Sequence, residues 1–235
     1  MSSIKLSERL TRVASNVKSG GVVADIGCDH GFTSIYMVQR GIALSAIAMD
    51  IGRGPLQMAK EHIHEYGMED RISARLSDGA AGLVPGEADT ILISGMGGAL
   101  ITKILSDSIP VVEAVDELVL SPQSEIYLVR HFLHEHGFRI AHEEMLFEAP
   151  KYYVIIRAVR GEESYDDEKY YIYGKGLIDS HDSVFAAYLF SEEKRLSGVI
   201  KSLQGKKLSE ASELKLEKIK AEISMIHGIM ADMEK

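Results

Sequence analysis

Four stretches of this 235-residue chain carry side chains and glycines suited to holding a small charged molecule. The first is Asp25-Ile26-Gly27-Cys28-Asp29-His30-Gly31, a D-x-G-x-D-x-G pattern. Gly27 lets the backbone turn tightly and come close to a ligand. The unpaired N–H groups at the start of a following helix offer donors. The middle glycine of the D-x-G-x-G-x-G form is replaced by Asp29, whose charge repels a pyrophosphate and suits a cation. The second element is Asp50, 25 residues after Asp25, where an acid at a strand tip hydrogen-bonds the hydroxyls of a ribose. The third is Asp78-Gly79. Its carboxylate can accept from an adenine amino group and its glycine allows close approach, although Asp-Gly is equally a common turn pair. The fourth is Ser94-Gly95-Met96-Gly97-Gly98. An acidic site for an adenosine with a cationic centre describes S-adenosylmethionine better than a dinucleotide.

The fourth stretch occupies the catalytic-loop position of the S-adenosylmethionine methyltransferase layout. Enzymes that methylate exocyclic amines carry N/D-P-P-Y/F there. This chain has neither the aromatic ring to stack a base nor the Asn or Asp side chain to polarise an amine. A ring nitrogen with a free lone pair needs less activation, so the absence points toward that kind of acceptor.

These residues need strands ending at the same place. Val22–Gly27, Ser45–Asp50, Ile72–Asp78, Asp89–Gly95 and Glu117–Pro122 are short apolar runs, read as parallel strands covered on both faces. Residues 31–41, 54–66, 97–107 and 123–136 are the crossover helices. Two strand-like runs separated by a turn at Pro150 then form a hairpin, which puts one antiparallel strand into the sheet. The tip of that hairpin is expected at the ligand end, so Lys151, Tyr152 and Tyr153 are candidates to touch a substrate. An alternative is that the two tyrosines are simply one core and one surface residue of a strand. Residues 7–18 form an amphipathic helix with Leu6, Leu10, Val13 and Val17 on one face, stopped at Gly20-Gly21.

Residues 1–160 are therefore one Rossmann-like domain and 161–235 a helical one, joined by an acidic run, GEESYDDEKYY, read as a linker. In the second part, Phe185, Leu189, Glu192, Leu196, Val199 and Leu203 form one heptad seam, with Glu192 as a polar break. Leu216, Ile219, Ile223, Ile226, Met230 and Met233 form another. Gly205 suits a helix end and Ser209 a helix start. An antiparallel hairpin that zips on itself, hence a monomer, is the simplest reading, and a dimeric coiled coil is the alternative.

The net charge of −9 argues against a polyanionic partner when taken globally. Locally it does not, because Lys5, Arg9, Arg12 and Lys18 oppose only Glu8 within residues 1–20, and several acids are assigned to the ligand site. A single cysteine and the lack of a long apolar run suggest a soluble, cytoplasmic protein without disulfides or membrane contact. Cys28 reads as a small buried residue. His131, His134 and His136, like His62 and His64, lack a completing carboxylate, so no metal site is expected.

The ordered set ADIGCDH, MDIGRGPLQMA, RLSDG, ISGMGG and KYYVIIRAVR, with the RLTRVAS helix before it and the heptad tail after it, resembles the bacterial tRNA (adenine-22-N1)-methyltransferase family, the TrmK family. The resemblance implies a class I methyltransferase fold, a seven-stranded mostly parallel sheet with one antiparallel strand, and a C-terminal helical hairpin or coiled coil. It implies methyl transfer from S-adenosylmethionine to N1 of an adenine in the D-arm of tRNA. Asp25, Gly27, Asp50, Asp78, Gly79, Ser94 and Gly95 would line the cofactor, with His30, Ile51 and Met96 beside them, and Asp29 would be the catalytic carboxylate. Arg9, Arg12, Lys18, Lys151 and Tyr152 are the candidate RNA contacts. The chain departs from the family at Gly31-Phe32-Thr33-Ser34, where D-H-A-Y-L-P is common, and at Ser121-Pro122-Gln123, where Q-P-N is common. Rival readings are a small-molecule methyltransferase on the same fold and a non-catalytic S-adenosylmethionine-binding protein.

Overall fold

The computed structural model describes residues 4–18, 20–203 and 209–233. Its centre is one seven-stranded sheet: β1 (Val22–Ile26), β2 (Ser45–Asp50), β3 (Ile72–Leu76), β4 (Thr90–Ser94), β5 (Glu117–Ser121), β6 (Phe138–Glu148) and β7 (Lys151–Arg160), in the spatial order β3-β2-β1-β4-β5-β7-β6. Only β7 runs against its neighbours, pairing antiparallel with both β5 and β6. Order reverses between β1 and β4, which opens a crevice at their carboxyl ends.

The strands form because their side chains are apolar on both faces. Ala24 and Ile26 of β1, Leu118 and Leu120 of β5, and Val154, Ile156 and Ala158 of β7 enter one core. Val23, Val119 and Ile155, alternating with them, enter the other. The second core is closed by α1 (Glu8–Ser15), α2 (Phe32–Gln39) and α3 (Arg53–Glu65). The first is closed by α4 (Gly98–Ser106), α5 (Ile109–Val112) and α6 (Ile126–Glu135). α1 begins where the Ser7 hydroxyl accepts from the Leu10 N–H and is shorter than the 7–18 expected. Asn16 ends it, bonding its side chain to the Arg12 carbonyl at 3.0 Å and to Glu144 at 2.6 Å.

The run expected as a linker is partly helical. α7 (Glu168–Tyr173) and α8 (Lys175–Ser180) bury Tyr171, Tyr173, Leu177 and Ile178. α9 (Ser183–Leu203) and α10 (Glu210–Met233) follow and pack on each other through Phe185, Leu189, Leu196, Ile219 and Ile226, residues of both expected seams. Their apolar contacts are continuous with the sheet core on the α6 side. Glu192, the polar break, pairs with Arg195 at 2.7 Å. Ser209 caps α10, accepting from the Ser212 N–H at 3.4 Å, whereas the end expected at Gly205 lies outside the described residues. No helix among the described residues is long and apolar enough to cross a membrane.

Candidate cofactor and substrate site

Three of the four sequence stretches, those around Asp25, Asp50 and Ser94, converge at the carboxyl ends of β1, β2 and β4. Arg9, Leu10, Asp25, Gly27, Asp29, His30, Asp50, Ser94, Gly95 and Met96 line one cavity of about 370 Å³, joined by Cys28, Phe32, Thr33 and Leu92. That volume suits a small-molecule ligand.

The local backbone explains the glycines. Gly27 has φ +75°, and a side chain there would run into the Met96 methyl. The N–H groups of Gly27 and Cys28 both reach the Met49 carbonyl, at 2.8 and 2.9 Å, which ties the turn after β1 to β2. Gly31, with φ +74°, starts α2 without a side-chain cap, so the first turn of that helix presents N–H donors. Gly98 lies against the backbone carbonyls of Ser124 and Glu125, so no side chain could fit. The Ser94–Gly98 loop is also laced to the loop after β5: Gly95 N–H donates to the Ser121 carbonyl at 3.2 Å and Gln123 N–H to that of Met96 at 2.9 Å.

The acids divide by task. Asp25 is buried and accepts from the Ser34 hydroxyl at 2.7 Å. Burial raises its pKa to about 6 against the opposing pull of the Ser34 bonds. Asp50 bridges two loops, accepting from the N–H of Gly52 at 2.7 Å and of Asp29 at 3.2 Å. Asp29 itself is exposed and sits at φ +51°, a conformation uncommon outside glycine. The left-handed turn aims its carboxylate toward the His30 ring, 3.6 Å away. Nδ1 of His30 is buried without a hydrogen-bond partner, while its carbonyl accepts from His62 at 2.9 Å. Burial, with Asp25 and Asp50 nearby, pushes the Cys28 thiol up, which keeps it from acting as a nucleophile.

Three carboxylates, uncapped helix N–H groups and an orphaned imidazole nitrogen fit a ligand that carries both cationic and anionic groups. The donor set therefore matches S-adenosylmethionine as expected from the sequence.

Other expected residues lie elsewhere. Ile51 is 67% exposed beside Asp50. Asp78 and Gly79 stand outside the cavity, although the neighbouring Ser77 N–H donates to the Asp50 carbonyl at 3.0 Å and keeps their loop at the same sheet end. The basic patch expected from the N-terminal helix is dispersed. Arg9 points into the cavity, its Nη1 donating to the Ser94 hydroxyl at 2.7 Å. Arg12 pairs with Glu144 at 3.3 Å. Lys18 is at the other end of the sheet, its N–H donating to Glu117 at the start of β5. The hairpin tip does lie at the ligand end, since Glu148 accepts from the Arg9 N–H at 3.2 Å. There Lys151 is exposed, and Tyr152 packs on Phe147 and Tyr188, away from the cavity. The sequence reading missed Leu10, Phe32, Thr33 and Leu92 as lining residues. Phe32 and Thr33 could have been found from their place in the first turn of the helix after the motif; nothing local marks Leu10.

A family model for a methyltransferase domain matches residues 6–156. Over 162 residues the chain is 37% identical to the tRNA (adenine(22)-N(1))-methyltransferase of Bacillus subtilis, covering 69% of this chain and 68% of that protein. The chain belongs to the TrmK family. The crystal structure of the B. subtilis family member TrmK matches with a TM-score of 0.88 at 29% identity, over 96% of this chain and 99% of that one. A Streptococcus pneumoniae structure in complex with S-adenosyl-L-methionine matches with a TM-score of 0.87 at 29% identity, over 96% and 100% of the two chains. These matches span the whole family architecture, the C-terminal helices included.

Proposed function

We propose that this protein is a tRNA methyltransferase that transfers the methyl group of S-adenosylmethionine to N1 of adenine 22 in the D-arm. The observation that carries the reading is the acidic cavity at the β1–β4 crevice, built from the family's own motifs and opening beside an arginine and a hairpin tip. When bound, the cofactor supplies a methyl group on a positively charged sulfur, whose loss to N1 leaves a neutral thioether and a cationic base.

Asp25 and Asp50 hold the loops in place and, with the α2 N-terminus and His30, receive the cofactor's polar groups. Ile51, Asp78 and Gly79, at the same sheet end, would flank the adenosine part of the cofactor, and Gly95 and Met96 would line the cavity beside it. Adenine N1 has a free lone pair at neutral pH, so no residue need remove a proton before attack. Asp29, an exposed carboxylate on the cavity wall, is the group that would stabilise the developing positive charge through space. N1 lies on the Watson–Crick edge, so the base must leave its stack and its pair to reach the cavity. Arg12 and Lys151 contribute sequence-independent attraction for phosphates along the route, with salt-sensitive affinity, whereas Lys18, at the other end of the sheet, lies off it. The buried seam between α9 and α10 supports a monomer, and a tRNA substrate is the ground for expecting it to work in the cytoplasm.

The test is incubation with labelled S-adenosylmethionine and unmodified tRNA, repeated with the target adenine replaced by guanine. Label is expected on the first RNA only. Label that persists after the replacement rules out the assigned acceptor.

A further inference from the structure

A base lifted out of its stack needs a face to lie on, and the loop after β4 offers no ring. One stands beside it all the same. The Arg9 guanidinium lines the cavity, donates through Nη1 to Ser94 Oγ at 2.7 Å, and lies over the ring of Tyr153 with its Cζ 5.1 Å from the ring centre. Ser94, Arg9 and Tyr153 thus form a stack reaching from the end of β4 to β7. The arrangement is fixed from both sides. Glu148 holds the Arg9 backbone, and Tyr153, opposite Leu146 in the hairpin, is partly buried in the α1–α2 core.

We propose that Tyr153 is the surface on which the target adenine stacks, and that Arg9 fills the adenine's place in the RNA-free protein. The proposal rests on the tRNA methyltransferase reading above. Three properties of the guanidinium match those of the base. Both are flat. Both carry N–H groups that Ser94 Oγ can accept from, the base through its exocyclic amine. Both are cations at the decisive moment, because the adenine ring gains a positive charge as N1 takes the methyl group. An aromatic face attracts such a charge through its quadrupole. A ring that already holds a planar cation in the free protein is therefore suited to hold the charged base in the transition state. Displaced Arg9 is then free to meet a phosphate of the extruded nucleotide. Tyr152, its neighbour on β7, is turned to the other face of the sheet and occupied by Phe147 and Tyr188.

The experiment compares methyl transfer to tRNA by the parent protein, Tyr153→Leu and Tyr153→Phe, and measures binding of 1-methyladenosine and adenosine to the parent, Arg9→Ala and Arg9→Ala/Tyr153→Leu. Tyr153→Leu is expected to lose roughly 5- to 150-fold in kcat/KM, the range for one base–aromatic stack, with cofactor affinity retained, and Tyr153→Phe to recover most of the rate. Arg9→Ala uncovers the ring, so it binds the cationic 1-methyladenosine more tightly than the parent does and more tightly than adenosine. That preference disappears in the double variant. A Tyr153→Leu protein that methylates tRNA at the parental rate overturns the proposal. So does an Arg9→Ala protein with no gain for 1-methyladenosine, a readout that stands even if Tyr153→Leu fails to fold. A parent protein that transfers no methyl group to tRNA overturns the functional reading and the proposal with it, whereas parental turnover alongside an unaffected Tyr153→Leu removes the proposal alone.

Discussion

Two clusters of charge lie on opposite flanks of the sheet and follow opposite logic. Under α7, Arg130 and Glu143 are buried and paired with each other. Nε of Arg130 meets Glu143 at 2.7 Å, its Nη1 donates to the carbonyls of Tyr171 and Ile172 at 2.8 and 3.0 Å, and Glu143 also accepts from the Gly176 N–H at 3.2 Å. Gly174 is a glycine because a side chain would strike both charged groups. At the β1–β4 crevice, Asp25, Asp29 and Asp50 gather with an orphaned His30 nitrogen, and Arg9 in the same cavity donates to Ser94 and is stacked on Tyr153. A saturated cluster holds elements together; an unsaturated one is kept open for a ligand. Burial alone does not distinguish them, and satisfaction of the polar groups does.

The comparison is broken most severely at the saturated cluster. Arg130→Ala leaves the Glu143 charge alone in the core and is expected to cost about 3–5 kcal/mol in denaturant unfolding, while Arg130→Met/Glu143→Leu regains most of that. A single variant as stable as the parent would show that the pair does not hold α7 and α8 in place. At the open cluster the loss falls on chemistry. Asp29→Ala is expected to lower kcat by about 10²–10³, the scale seen when one preorganised electrostatic contact to the transition state is removed. The cofactor Kd and the melting temperature should hardly change, and a parallel loss of cofactor binding would make Asp29 a cofactor ligand only.

The smallest effect concerns Asp25, which shares features of both clusters. Its pKa of about 6 in the folded protein lies above the ordinary 3.8 of the unfolded chain, because burial disfavours the charge. The native state therefore holds the extra proton between these values, and stability falls as pH rises through that window. Asp25→Asn keeps an acceptor for Ser34, removes this part of the pH dependence, and should stabilise the cofactor-free protein at neutral pH by on the order of 2 kcal/mol. Unfolding curves at pH 4, 5, 6 and 7 test this, and an unchanged slope would mean that Asp25 does not carry it.

The open cluster was largely legible in the sequence and the saturated one was not. Asp25, Gly27, Asp29 and Asp50 stand in local motifs at strand ends, so each could be placed from its neighbours. Arg130 and Glu143 are ordinary charges in a helix and a strand, 13 residues apart, and become a pair only when β6 folds back beside α6. The acidic run after residue 160 reads as a linker, yet Tyr171 at its end is buried there, since Arg130 satisfies the carbonyls that α7 would otherwise bury unpaired.

The order of apolar runs and the glycine-bearing turns determined the sheet, its one reversed strand, the helical tail and the acidic end of the site. These are short-range matters of periodicity and backbone freedom, written within a few residues of each other. Tertiary structure alone decided where the cations go. Arg9, Arg12 and Lys18 follow each other on one short segment and look like one basic patch, yet one enters the cavity, one pairs with β6 and one lies at the far end of the sheet. A long, flexible cation takes its partner from whatever packs beside it, and for Arg9 that partner, Ser94, is 85 residues away in the chain.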